Sequence, residues 1–167
     1  MLTGSVVSSF FGHARTTHDI DIVVQILPQQ VAQITAAFSG EHFSFDDVAA
    51  VNAIATRDMF QLMDFRDGDK VDFWVLKDGP FDLQAFARRY RDTIVGVAAM
   101  LPTPEDIILQ KLKWAHDFES DKQYTDALSV FELQAGKLDV TYLEHWVARL
   151  GIEDVWQRLR GEAEPLE

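Results

Sequence analysis

Cysteine is absent from this chain of 167 residues. Its absence excludes disulfides, thiolate zinc sites and cysteine nucleophiles, so any metal must bind to oxygen or imidazole ligands. The sequence also has no basic N-terminal stretch followed by a long apolar run, and no apolar segment long enough to cross a bilayer. We therefore expect a cytoplasmic protein without membrane partners.

Positive charge is scarce. The chain has 15 Lys and Arg against 27 Asp and Glu, which gives a formal net charge of −12. Binding to a polyanion is unfavourable for such a chain unless its basic residues cluster locally. Hydrophobic residues make up 47% of the sequence, and this length can bury a core in one domain, or in one domain with a helical appendage.

The first hundred residues predict a mixed sheet with flanking helices. Ile- and Val-rich runs indicate strands, and a turn-like tetrapeptide between two such runs indicates a hairpin. The predicted elements are a strand end and short helix from Gly4 to Gly12, a strand over Ile20–Ile26, helices over Pro28–Phe38 and Asp46–Ala55, and a hairpin of Phe60–Phe65 with Lys70–Leu76.

The chain becomes helical after Met100. Thr103 is a candidate N-cap followed by proline and two acids, which predicts a helix to about Phe118. Apolar residues at helical spacing predict two further helices that end at Gly136 and Gly151, and a short last helix. We therefore expect an α+β protein, with a mixed-sheet core over residues 1–100 and a C-terminal helical region over residues 101–167 packed on it.

Asp19 and Asp21 begin the first predicted strand. Residues two apart on a strand share a face, so these carboxylates converge while Ile20 and Ile22 point to the opposite, core-facing layer. Two converging acids are tolerated near neutral pH if a cation lies between them, and oxygen ligands suit magnesium. A solvated strand start is the simpler explanation of two acids by themselves.

Gly4 and Ser5 precede the first short helix. Glycine lets the backbone approach a ligand, and the free N–H groups of a helix start attract phosphate. Asp72 lies on a later apolar strand, on the face that it shares with Trp74, and supplies a third acid. An ordinary strand-to-helix turn and the polar side of an alternating strand are the alternatives.

Together these residues resemble the minimal nucleotidyltransferases of the DNA polymerase β superfamily. The run "GHARTTHDIDIVV", the later "TPEDIILQKLKWA" and "DKQYTDAL" are similar to the abortive-infection-type branch, which includes toxin-like members of toxin–antitoxin systems. The resemblance covers Gly4 to about Leu150. It implies a nucleotidyltransferase fold and a magnesium-dependent transfer of a nucleoside monophosphate from a nucleoside triphosphate such as ATP.

The resemblance also implies roles for single residues. Asp19 and Asp21 would bind two Mg²⁺ ions, and Asp72 would bind the catalytic ion and help to activate the acceptor. Gly4 and Ser5 would hold the triphosphate. Three further residues are candidates for binding the nucleotide. Lys111 lies on the long helix, and its alternative is to extend along the surface to solvent. Arg15 and Thr17 precede the acids, and their alternative is to shape the loop.

The acceptor stays open among RNA, in particular a tRNA end, a protein hydroxyl and a small molecule. Arg88, Arg89, Tyr90 and Arg91 form the densest basic patch, which would suit RNA or be a solvated helix end. A second hypothesis is a catalytically inactive protein of this fold that binds a cognate toxin or antitoxin protein or a second copy of itself. A third is a hydrolase that uses the aspartate pair as acid and base.

Overall fold

Strands and helices alternate along the first part of the chain. The computed structural model describes residues 1–164. Its strands are β1 (Leu2–Thr3), β2 (Asp19–Val24), β3 (Phe43–Phe45), β4 (Met59–Asp64), β5 (Asp69–Val75), β6 (Tyr90–Ile94) and β7 (Val97–Leu101). Its helices are α1 (Gly4–Phe11), α2 (Val31–Ala37, after a 3₁₀ turn over Pro28–Gln30), α3 (Asp47–Thr56), α4 (Pro80–Arg88), α5 (Pro104–Phe118), α6 (Asp121–Leu133), α7 (Val140–Leu150) and α8 (Glu153–Glu162).

The main sheet has five strands in the order β1-β2-β5-β4-β3, and β6 pairs with β7 in a separate hairpin. Only β2 and β5 run parallel; the other neighbours are antiparallel. In this register Asp21 lies opposite Asp72, and Gln61 of β4 pairs with Asp72 from the other side. The fold is therefore α+β with a mixed sheet, as predicted, and β4 with β5 confirms the hairpin.

One face of the sheet is apolar. Strand alternation points Phe60 and Val75 to this face, where they pack with Val31 of α2 and with Ala50 and Ala53 of α3. The opposite face carries the polar members of β2 and β5. The sheet thus buries one side under two short helices and presents its charged side to the rest of the molecule.

A second core lies among the remaining helices. Helix α5 is its centre, since Ile107, Ile108, Leu109 and Leu112 are completely buried. This cluster also includes Val7 of α1, so it joins parts of the chain from both sides of residue 100. A domain division at residue 100 stays a prediction, and residues 165–167 of the predicted helical region lie outside the described part.

Some predicted boundaries were wrong. Strand β2 ends at Val24 instead of Ile26, because its partner β5 ends at Val75 and leaves no neighbour for the following residues. Helix α6 ends at Leu133, three residues before Gly136. Ile20 was expected in the core-facing layer but is exposed, since the apolar cluster under the sheet does not reach the start of β2. The pattern analysis did not predict β3, α4, β6 or β7.

Within residues 1–164, no helix combines the length and the apolar character that a bilayer crossing requires.

Thr103 caps α5, and its hydroxyl accepts a hydrogen bond from the backbone N–H of Asp106. We expect Thr103→Ala to lower the free energy of unfolding by about 1 kcal/mol, because the helix start loses its acceptor. Thr103→Ser keeps the hydroxyl and should remain close to the wild type. Urea unfolding of the three proteins measures the difference, and equal losses for Ala and Ser would contradict a capping role.

Candidate functional site

An open cavity of about 420 Å³ lies between the polar face of the sheet and helices α1, α5 and α6. All three predicted acids line it. Gly4, Ser5 and Lys111 line it as well, so six of the eight residues predicted for the site meet in one place. The other lining residues are Trp74, Lys77, Lys113, Trp114, Asp117, Phe118, Ser120, Lys122 and Gln123.

Asp21 and Asp72 form the middle of this surface. They face each other across the parallel strands β2 and β5. The indole Nε1 of Trp74 donates to Oδ1 of Asp21 over 3.0 Å, and Nε2 of Gln61 donates to Oδ1 of Asp72 over 3.0 Å. Asp72 is only 6% exposed. These bonds fix both carboxylates, and Trp74 indeed shares the face of Asp72.

Lys70 supplies positive charge between the acids. Its Nζ lies 3.0 Å from Oδ2 of Asp72 and 3.5 Å from Oδ1 of Asp19. The hydrogen bond to Asp72 raises the pKa of Lys70 above its ordinary value, against a smaller effect of burial. The ammonium group of Lys70 therefore supplies part of the positive charge that the converging carboxylates require.

The three aspartates have the right type of ligand atom for a hard divalent ion, but their arrangement is less suitable. Carboxylate oxygens are the ligands that Mg²⁺ prefers. Within the described residues, however, no three His, Asp or Glu side chains converge closely enough to hold a metal ion. Since Lys70 bridges Asp19 and Asp72, the donor set fits magnesium only if this ammonium group gives way.

Gly4 joins strand β1 to helix α1 in a conformation that other residues rarely adopt, with φ of +66°. A Cβ atom at this position would lie 2.0 Å from Oδ2 of Asp21. The glycine therefore allows the backbone at the start of α1 to touch the carboxylate. The hydroxyl of Ser5 is engaged separately, because it accepts a hydrogen bond of 2.5 Å from Arg15.

A buried ion-pair network lies behind this turn. Lys111 is 1% exposed, and its Nζ is 2.8 Å from Oδ2 of Asp126 and 2.7 Å from Oε1 of Gln123. Arg15 binds both oxygens of Asp126, each over 3.0 Å. The long lysine on α5 therefore has an anion as its partner and does not snorkel to the surface.

Burial and charge act in opposite directions on this network. Burial by itself would raise the pKa of Asp126, but the hydrogen bonds from Arg15 and Lys111 outweigh it and lower the pKa below its ordinary value. Burial is the larger effect at Lys111 and lowers its pKa, although Asp126 opposes the change. Asp126 therefore stays ionised at neutral pH and holds both cations.

Lysine is concentrated at this site. The sequence has six lysines, and four of them, Lys77, Lys111, Lys113 and Lys122, line the cavity, while Lys70 lies between the acids. Within residues 1–164 no ion pair involves Lys77 or Lys122. In a chain of net charge −12, the lining of this cavity thus holds four lysines and four aspartates. The signal was available in the sequence, since five of the six lysines fall between residues 70 and 122.

Two predicted residues do not line the cavity. Thr17 donates to the backbone oxygen of Asp19 over 3.4 Å and belongs to the loop before β2. Arg15 lies behind the cavity wall, paired with Asp126. No site role was predicted from the sequence for Gln61, Lys70 or Trp114.

The basic patch after α4 is partly occupied within the fold. Arg88 pairs with Glu105 and Asp106 and lies over the ring of Tyr142, 3.7 Å from its centroid. Its charge is therefore neutralised internally. Arg89 donates to the backbone oxygen of Phe86. The patch offers less free positive charge than its sequence indicates.

Comparisons with known proteins give limited information. No family model matches the chain, and no curated protein matches it. Among solved structures, it is similar to an antigenic nucleotidyltransferase-like protein from Paracoccidioides brasiliensis, at 19% identity, over 98% of this chain and 84% of that chain, with a TM-score of 0.49.

Gly4→Ala should disturb the site in two ways, through a steric clash of the new Cβ atom with Asp21 and through backbone strain. We expect a larger loss of unfolding free energy than for Gly68→Ala, where φ is +75° but nothing lies within 4 Å of the added Cβ. Backbone strain at Gly68 costs roughly 1–2 kcal/mol, and Gly4→Ala adds a clash with Asp21. Chemical unfolding of both variants provides the comparison. Equal losses would show that the close approach has no energetic consequence.

Asp126→Ala should destabilise the protein by about 3 to 5 kcal/mol at pH 7, because it leaves Lys111 buried without its partner. The folded pKa of Asp126 is lowered, so its stabilisation is present above an unfolded pKa of about 3.9 and is lost as pH falls through the folded value. Unfolding experiments at pH 7 and below pH 4 should show the difference from the wild type shrinking in acid. Exposed Asp121→Asn, on the same helix, is the control, and a difference independent of pH would contradict this role.

Proposed function

We propose that the protein is a nucleotidyltransferase that transfers a nucleoside monophosphate from a nucleoside triphosphate to an acceptor hydroxyl. The observation that carries the proposal is the meeting of Asp19, Asp21 and Asp72 on one face of the sheet, beside the Gly4–Ser5 turn and a group of lysines. Acids and lysines in one cavity suit a ligand that combines phosphates with a divalent cation.

The lysines would bind the triphosphate. Lys77 and Lys122 line the open cavity and have no ion pair within the described residues, so they are available to phosphate oxygens. The first N–H groups of α1, at Gly4 and Ser5, attract negative charge in the same place. The ammonium group of Lys111 would attract the phosphates electrostatically from the cavity wall, where Asp126 fixes its position.

Asp19, Asp21 and Asp72 would hold magnesium when Lys70 gives way. The ion would supply Lewis-acid charge that stabilises the developing negative charge on the phosphates. The acceptor oxygen forms a bond to the α-phosphorus, the bond from this phosphorus to the pyrophosphate oxygen breaks, and pyrophosphate leaves. The hydroxyl proton passes to the carboxylate of Asp72, which the amide of Gln61 orients.

RNA, protein and small-molecule acceptors remain candidates, and a role in a toxin–antitoxin or phage-defence system is part of the proposal. Incubation with each labelled triphosphate and a cell lysate, followed by fractionation, would identify the acceptor class.

A second candidate function is that of an inactive protein with the same fold that binds a cognate partner or a second copy of itself. The observation that favours it is Lys70, which already neutralises Asp19 and Asp72 without a metal ion. Such a protein requires no nucleotide. Magnesium-dependent nucleotide binding therefore separates the two functions.

The test measures thermal stability with a nucleoside triphosphate, with and without magnesium. We expect a stabilising shift only when both are present, because a ligand that binds the folded state raises its stability. Asp21→Asn and Asp72→Asn should abolish the shift, and label transfer should be lost with it. Asp67→Asn, in the turn between β4 and β5, is the matched control and should behave as the wild type. A shift that survives both site substitutions would overturn the proposal.

A further inference from the structure

A second, smaller cavity adjoins the acidic one. Its volume is about 140 Å³, and Trp74, Lys77, Lys113 and Trp114 line both cavities. It lies further along β2 and β5, beyond the acids, where Val23 pairs with Trp74 two residues after Asp21 pairs with Asp72. Two residues of a strand span about 7 Å. The two cavities therefore form one continuous depression with a charged part and an aromatic part.

The walls of the small cavity are suited to a flat ring. Trp74 and Trp114 are half-buried, with ring centroids 6.1 Å apart and ring planes tilted by 43°, and Phe81 and Leu76 close the apolar side. An apolar cavity of about 150 Å³ is large enough for benzene. The small cavity thus accommodates a single planar ring system but not a complete nucleotide, whose sugar and phosphates would have to lie in the larger cavity.

Each of the two tryptophans contacts a charged residue. The indole of Trp74 donates to Asp21, and the ammonium group of Lys111 lies 5.7 Å from the ring centroid of Trp114. These contacts fix the aromatic wall relative to the acids and to the buried lysine. A ligand that extends from one cavity into the other would therefore meet a preorganised surface.

One polar group in the small cavity is available for recognition. Asp82 lies in the first turn of α4 and lines the cavity, and within residues 1–164 no other residue donates a hydrogen bond to its carboxylate. Burial raises the pKa of Asp82, while Lys77 and Lys113 oppose the change. By contrast, Asp106 in the same wall is already bonded to Arg88, Thr103 and Tyr142.

We propose that the small cavity binds the base of the donor nucleotide, which packs against the rings of Trp74 and Trp114 and donates an amino group to Asp82. This inference rests on the proposed function, because it places the triphosphate in the larger cavity. The base at the end of an RNA acceptor has the same chemistry, so the test uses purified protein without RNA.

The experiment measures the affinity of the protein for inorganic triphosphate and for each of the four ribonucleoside triphosphates in the presence of magnesium. The change in tryptophan fluorescence on binding is the readout. We expect nucleotides to bind more tightly than inorganic triphosphate. Trp114→Leu should weaken nucleotide binding about tenfold, as loss of one stacking partner does. It should weaken binding of inorganic triphosphate by a smaller factor, although Trp114 lines both cavities. Phe65→Leu, which alters an exposed aromatic residue outside both cavities, is the matched control.

Asp82→Asn provides a second, milder variant that does not depend on repacking an aromatic wall. It should weaken binding of bases that carry an amino group more than binding of uracil, and free nucleosides should compete with nucleotides for the wild type. Nucleotides that bind no better than inorganic triphosphate, or variants that weaken both ligands equally, would overturn the inference while leaving the proposed function intact. Failure of both ligands to bind would overturn the proposed function together with the inference.

Discussion

The ion pair of Asp126 with Lys111 and Arg15 joins the loop before β2 to helices α5 and α6. Arg15 and Asp126 are 111 residues apart in the sequence. Through the hydrogen bond from Arg15 to Ser5 the ion pair also reaches the turn at the start of α1. Removing one member would leave a buried charge without a partner, which is costly. The position of the backbone beside Asp21 therefore depends on this network.

Charge is distributed unevenly over the protein. The chain is strongly acidic, yet nearly all of its lysines surround one cavity that also contains aspartates. Lys70 shows the balance most clearly, since its ammonium group lies between Asp19 and Asp72 and neutralises charge on both.

Sequence patterns correctly predicted the elements that depend on interactions between residues close together in the sequence. The cap at Thr103, the hairpin around Gly68 and the apolar run of β2 follow from side-chain and turn preferences within a few residues. Elements whose residues are neither strongly periodic nor capped were missed, as in α4, which has no side-chain cap. The end of β2 was misplaced because strand length depends on the partner strand, and a single segment carries no information about it.

The sequence by itself determined which side chains share a face. A period of two places Asp19 with Asp21 and Asp72 with Trp74, whatever the rest of the chain does. Only the tertiary structure decided that the two strands are neighbours, that Asp21 lies opposite Asp72, that Lys70 reaches Asp19, and that Asp126 pairs with Arg15. The reason is physical: strand pairing and buried ion pairs join residues distant in sequence, and the energy of each depends on geometry that only the folded chain provides.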